Sequence, residues 1–156
     1  MDPSIGLTSQ QRADISLALS KILADEFLLQ TKTRNAHWNV EGRDFHSKHV
    51  FFEAQYRELE NWIDEIAERI RSLGHYAPAS LKTFLQLTHF DEEGLANNSA
   101  EEYIKELLTD HESLIVHLRA SIASVAADLH DVSASDFMTG LMEAHEKMAW
   151  MLRAHL

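Results

Sequence analysis

Five residues whose side chains are suited to binding a transition metal lie within residues 37–68: His37, His49, Glu53, Asp64 and Glu68. Imidazole and carboxylate together form a ligand set that is typical of non-haem iron. His49 and Glu53 are four residues apart, as are Asp64 and Glu68, so each pair would share one face of a helix. Each pair therefore predicts half of a metal site.

The two half-sites are too far apart to hold one ion. Glu53 and Asp64 are eleven residues apart, which is about 16 Å along a helix at ~1.5 Å per residue. At ~100° per residue, eleven residues return to nearly the same face, about 20° away. A second copy running antiparallel across a two-fold axis would place each half-site opposite its complement. The spacing therefore predicts metal held between two subunits.

The composition indicates one helix-rich domain over residues 1–156. Forty-five per cent of the residues are apolar, and five Gly and two Pro interrupt them. No apolar run approaches the ~20 residues of a membrane span, and residues 1–7 lack the pattern of a signal peptide. We therefore expect a soluble, cytoplasmic protein. The absence of Cys excludes disulfides, thiolate chemistry and zinc fingers. The formal net charge of −11 opposes nucleic-acid phosphates and favours cations.

Apolar periodicity predicts the helices that must position these ligands. Long helices are expected over residues 8–40, 44–74 and 99–129, and a fourth after the turn at 131–135, ending at 156. Thr8 with Gln11, and Ser99 with Glu102, have the spacing of capping boxes. A short helix at 81–87 lies in the long connection 74–98. Two short connections around one long crossover predict an all-α, ferritin-like four-helix bundle.

The ligand residues of the second predicted helix flank its apolar stripe instead of pointing into the bundle. An ordinary ferritin-like di-iron site uses Glu-x-x-His motifs that project inward. The sequence contains no Glu followed three residues later by His. A metal site inside one subunit's bundle is therefore disfavoured.

Several segments together resemble the signature of the Dps family, the miniferritins also called DNA-binding proteins from starved cells. They are His-Trp-Asn-Val-Glu-Gly at 37–42, Phe45, His49, Phe52, Tyr56, Asp-Glu-Ile-Ala-Glu-Arg at 64–69, and Leu-Gly at 73–74. The resemblance implies a hollow shell of twelve subunits that oxidises Fe(II), preferably with hydrogen peroxide, and stores ferric mineral.

The resemblance also implies a role for each metal ligand. His37 of one subunit, with Asp64 and Glu68 of its partner, would form the stronger iron site. His49 and Glu53 would form the weaker site, with Glu68 as the bridge. Zn or Mn could substitute for Fe in such a set of ligands.

Trp38 and three acidic residues each have two possible roles, whereas the remaining histidines have none that their spacing indicates. Trp38 is either a sacrificial electron donor beside the iron, as its position in the family implies, or an interface aromatic. Asp128, Asp131 and Asp136 lie where the family has acidic three-fold pores, and the competing interpretation is an N-cap cluster for the fourth helix. The remaining histidines show no repeated partner spacing, so we expect most to be structural or exposed: His46, His75, His89, His111, His117, His130, His145 and His155.

Direct DNA binding is not expected, despite the family name. Family members that bind DNA are understood to use tails rich in Lys or Arg, whereas the first basic residue here is Arg12. The preferred hypothesis is a ferroxidase and iron-storage cage. The alternative is a non-catalytic DNA-compacting or interaction protein with a structural metal at the two-fold interface.

Overall fold

The computed structural model describes residues 3–91 and 97–156. Over these residues the chain forms five helices and no β-strand: α1 (Ser9–Asn39), α2 (Phe45–Ser72), α3 (Leu81–Leu87), α4 (Ala100–Ala127) and α5 (Val132–Arg153). The predicted all-α bundle with a short extra helix is confirmed. Part of the crossover predicted at 74–98 lies outside the described residues, since it includes 92–96.

The helices begin where polar side chains cap them. The Thr8 hydroxyl accepts a hydrogen bond from the Gln11 amide at 3.2 Å, and Gln11 Oε1 accepts from the Thr8 amide at 2.9 Å, which confirms the first capping box. The second box is only half formed. Ser99 Oγ accepts from the Glu102 amide at 3.3 Å, but the Ser99 amide donates to Asn97 Oδ1 at 2.9 Å instead of to Glu102.

Contacts at the two ends of the bundle give the direction of each helix. The Glu41 amide, just after α1, donates to the Asn98 carbonyl at 3.0 Å, just before α4. At the opposite end, Gln11 Nε2 donates to the Leu129 carbonyl at 3.0 Å. Therefore α4 runs antiparallel to α1 and parallel to α2, and the crossover travels the length of the bundle. This is the ferritin-like arrangement.

Each long helix buries an apolar stripe in a common core. Fully buried side chains include Ile15, Leu19 and Leu29 of α1, Phe52, Leu59 and Ile66 of α2, Leu107 and Leu114 of α4, and Met138 and Leu141 of α5. Burial of each such side chain stabilises the fold by about 1.5–3 kcal/mol. Within the described residues, no helix is both long and apolar enough to cross a bilayer.

Helix α1 is enclosed on more than one side, because α2, α3 and α4 all pack against it. Phe27 of α1 stacks on Phe84 of α3 with ring centroids 4.5 Å apart. As a result α1 buries polar side chains as well as apolar ones, among them Asp25, Glu26 and His37. These three residues belong to three different polar clusters.

Candidate metal centre

His37 in the last turns of α1 and His49 near the start of α2 hold each other in place. His37 Nδ1 donates to the His49 carbonyl at 2.8 Å, and His49 Nδ1 donates to the His37 carbonyl at 2.7 Å. The two rings stack with centroids 3.8 Å apart and planes 20° apart. Because a carbonyl oxygen can only accept, each Nδ1 carries a proton, and in the neutral ring it is Nε2 that holds the lone pair. This is the tautomer that an Nε2 metal ligand requires.

A short turn brings the two histidines together. Gly42, with φ of +124°, occupies a backbone conformation that favours glycine and reverses the chain between α1 and α2. His37 is buried, and its ring makes a T-shaped contact with the ring of Tyr56, with centroids 5.2 Å apart. The guanidinium of Arg34 covers the Tyr56 ring at 4.7 Å. The imidazoles are thus fixed by packing before any ligand binds.

Glu53 adds a carboxylate one turn after His49. Arg57 donates to Glu53 Oε1 from Nε at 3.0 Å and from Nη2 at 2.6 Å. These hydrogen bonds lower the pKa of Glu53, and the charges of Arg57, His37 and His49 act in the same direction. The site therefore combines an ionised carboxylate with two imidazoles, a donor set that suits Fe(II).

Asp64 and Glu68 lie further along α2, where both are exposed to solvent. Asp64 lines a shallow surface depression together with Ile63 and Ala67. Among the described residues of this one chain, the five predicted ligands do not converge into a cluster of three. The completion of each half-site by a second subunit stays a prediction.

Trp38 adjoins His37 in sequence but points outward, with 68% of its surface exposed. Both roles predicted for it stay predictions. An electron donor must lie close to the iron, and an interface aromatic must be free to contact another subunit.

The three acidic residues predicted for a pore differ in their local roles. Asp131 is the N-cap of α5: its Oδ1 accepts from the Ala134 amide at 3.1 Å, and Arg69 Nη2 lies 3.6 Å from Oδ2. Asp128 follows α4 and accepts from Ser124 Oγ at 2.9 Å. Asp136 is exposed in the second turn of α5, too far along the helix to cap it. The N-cap interpretation is therefore right for Asp131 and wrong for Asp136, and the pore stays a prediction.

A buried polar chain, which no local spacing in the sequence predicts, crosses the bundle core. His145 Nε2 of α5 lies 2.6 Å from Glu26 Oε1 of α1, and His145 Nδ1 lies 2.9 Å from His111 Nδ1 of α4. All three side chains are fully buried. Burial, with the nearby His145 as a second cause, holds the pKa of His111 well below its usual value. His111 is therefore neutral at pH 7.

Asp25, His89 and His117 form a second unanticipated cluster, between α1, the crossover and α4. Each offers one ligand atom, and the three atoms lie within 4.8 Å of one another. Burial lowers the pKa of His117, while the carboxylate of Asp25 opposes this shift. Asp25 and Glu26 interrupt an apolar run at 22–29, and this is the only sequence signal for either cluster. Their partners are far away along the chain, so no local spacing could identify them.

Comparison with known proteins gives consistent results. The family model described as a ferritin-like domain matches residues 16–156. A low-temperature-induced protein of Nostoc sp. is 42% identical, over 98% of this chain and 86% of that protein. The DNA protection during starvation protein 2 of Bacillus anthracis is 37% identical, over 88% of this chain and 93% of that protein.

The solved structures agree with the relatives found by sequence. A Dps protein from Vibrio cholerae O1, described as one of a broad superfamily of ferritin-like diiron-carboxylate proteins, superposes with a TM-score of 0.90. It is 29% identical, and the match covers 98% of this chain and 95% of that one.

Proposed function

Because this chain belongs to the Dps family of ferritin-like proteins, we propose that it binds iron, protects against oxidative stress and acts as a ferroxidase. Its substrates are Fe(II) and hydrogen peroxide, and the ferric product is stored as mineral inside a shell of twelve subunits. The observation that carries the proposal is the His37–His49 pair, in which the Nδ1 of each ring donates to the carbonyl of the other residue, so that each Nε2 is the ring nitrogen available to a metal.

The ligands divide between two subunits related by a two-fold axis. His37 of one subunit binds the first iron together with Asp64 and Glu68 of the partner subunit. His49 and Glu53 hold the second iron more weakly, and Glu68 of the partner subunit bridges the two. The exposure of Asp64 and Glu68 in the single chain supports this division, because residues that face another subunit must lie on the surface.

Two irons are needed because hydrogen peroxide takes two electrons to become water. Two Fe(II) ions supply one electron each, so that two Fe(II), one hydrogen peroxide and two protons give two Fe(III) and two waters. One iron alone would supply a single electron and release a hydroxyl radical. Carboxylates favour Fe(III), while imidazole retains Fe(II), so a mixed set suits an ion that changes valence. Zn or Mn would fit the same ligands, but Zn could not carry out this chemistry because it does not change valence.

The test is anaerobic loading of the purified protein with Fe(II), followed by peroxide. We expect about two irons oxidised per peroxide, by the electron balance above, little radical captured by a spin trap, and a dodecamer by sedimentation. His37→Ala and Asp64→Asn should both abolish rapid oxidation while the particle still assembles, because apolar contacts contribute most of a large interface. His49→Ala should be milder, slowing the paired step.

Glu65→Gln is the matched control for Asp64→Asn, since Glu65 is the next residue of α2 and is also exposed. It should oxidise iron at the wild-type rate. Full activity in both ligand variants would exclude these residues as ligands. A wild-type protein that binds Zn but never oxidises iron would instead support a structural metal site.

A further inference from the structure

The cluster of Asp25, His89 and His117 has the composition and geometry of a cation site. We propose that it binds one first-row divalent cation, Zn²⁺ or Fe²⁺, through one carboxylate oxygen and two imidazole nitrogens. Two His and one carboxylate form a face of three ligands that leaves the remaining positions to water. This proposal does not depend on the ferroxidase activity.

The three ligand atoms form a compact triangle. Asp25 Oδ2 lies 2.8 Å from His89 Nδ1 and 3.5 Å from His117 Nδ1, and the two Nδ1 atoms lie 3.3 Å apart. At a metal–ligand distance of ~2.1 Å, neighbouring ligands are about 3.0 Å apart in an octahedral site and about 3.4 Å apart in a tetrahedral one. The observed separations cover this range, so an ion fits with small side-chain adjustments.

Neighbouring groups orient two of the three ligands. Asp25 Oδ1 accepts from the Thr88 hydroxyl at 2.8 Å and from the His89 amide at 2.9 Å, which turns Oδ2 towards the imidazoles. His89 Nε2 lies 2.9 Å from Ser113 Oγ, an acceptor for its proton when Nδ1 binds metal. Such supporting hydrogen bonds fix ring orientation and tautomer in metal sites.

The position of His117 is explained better by a bound ion than by hydrogen bonds alone. Its Nδ1 faces both Asp25 and His89, but at 3.5 and 3.3 Å neither contact is a short hydrogen bond. The buried Asp25 carboxylate has a favourable partner in a cation. Ions can reach the site because the side chains of His89 and His117 are each 32% exposed.

The cluster is separate from the proposed ferroxidase ligands. Asp25 precedes His37 by twelve residues on α1, which is about 18 Å along a helix. The ferroxidase pair joins α1 to α2, whereas this cluster joins α1 and α4 to the crossover through His89. A bound ion would therefore fasten the crossover to the bundle.

The test uses the full-length chain carrying His37→Ala, His49→Ala and Asp64→Asn, so that each of the two proposed iron sites loses at least one ligand. Titration with Co²⁺, followed by its visible absorption, should show one ion per subunit with nitrogen ligands. Adding His117→Ala should weaken this binding by at least about tenfold. Asp25→Asn should do the same, and His75→Ala, which removes a histidine of neither site, should leave it unchanged. Circular dichroism and sedimentation verify that each variant folds and assembles.

Separate titrations with Zn²⁺ and with anaerobic Fe²⁺ establish which cation binds more tightly. Equal Co²⁺ affinity in the His117→Ala and His75→Ala variants would overturn the proposal, as would a parent that binds no Co²⁺. Neither outcome depends on iron oxidation. Failure of this site is therefore distinguishable from failure of the proposed function.

Discussion

Replacement of His111 should change how the stability of this protein depends on pH. His111 is fully buried on α4, and its Nδ1 lies 2.9 Å from His145 Nδ1. His111 Nε2 is buried without a hydrogen-bond partner among the described residues. A proton added at Nε2 would therefore be buried without an acceptor, which explains why burial keeps the pKa of His111 well below its usual value.

The sign of the effect follows from linkage. In the unfolded chain His111 titrates near pH ~6.5, whereas in the folded chain it stays neutral to much lower pH. As pH falls, the unfolded state therefore binds a proton that the folded state does not bind. The contribution of neutral His111 to the free energy of unfolding is complete above pH ~6.5 and is lost as pH falls below that value. The loss approaches about 1.4 kcal/mol per pH unit for each subunit. For a subunit of this size, that lowers Tm by roughly 3–5 °C per pH unit.

The perturbation is His111→Asn, because the Asn amide nitrogen can occupy the place of Nδ1 and donate to His145 without titrating. At pH 8 the smaller side chain should cost about 1–3 kcal/mol. As pH falls from 6.5 towards 5, the difference from wild type should shrink by about 1.4 kcal/mol per unit. Calorimetry at fixed protein concentration measures Tm at each pH, since assembly makes stability depend on concentration. His75→Asn is the control and should keep the wild-type slope. Identical slopes in wild type and His111→Asn would refute the reasoning.

Further predictions concern the caps, the turns and the assembled particle. Asp131→Ala should remove the N-cap of α5 and lower Tm by about 2–4 °C. Asp136→Ala should change the free energy of unfolding by less than ~0.5 kcal/mol. Equal effects of the two substitutions on Tm would contradict the N-cap assignment. Gly74→Ala should destabilise the fold, because φ is +90° and the added Cβ would lie 2.7 Å from Pro3 Cδ. Gly140→Ala should not, because nothing lies within 4 Å of the added Cβ. Thermal melts compare the two variants. Light scattering should give a dodecamer, and a monomer or a 24-subunit particle would be incompatible with the proposed shell. Without divalent cations the particle should not retard plasmid DNA in a gel, yet it should protect the DNA from iron plus peroxide. The Asp64→Asn variant should lose this protection and should still not retard the DNA.

The sequence alone determined the features that depend on neighbouring residues. The capping box of Thr8 and Gln11 and the short helix at 81–87 follow from spacings of three or four residues, and the structure confirms both. The second capping box was only half right, because Asn97 takes the Ser99 amide that Glu102 was expected to accept. The spacing of residues does not show that a nearby side chain will compete for the same backbone amide. The ferritin-like arrangement could be predicted because one long crossover between two short connections leaves few alternatives.

Tertiary structure decided which polar groups meet. The pairing of His37 with His49 depends on the turn at Gly42, and neither residue's spacing indicates that each ring binds the other residue's carbonyl. Asp25 and His117 are 92 residues apart, and Glu26 and His145 are 119 apart. Periodicity states which face of a helix is buried, but not which neighbouring face it meets or how far each helix is shifted along its axis. Hydrogen bonds and metal sites need that shift fixed to within about half an ångström, and only the packed bundle provides it.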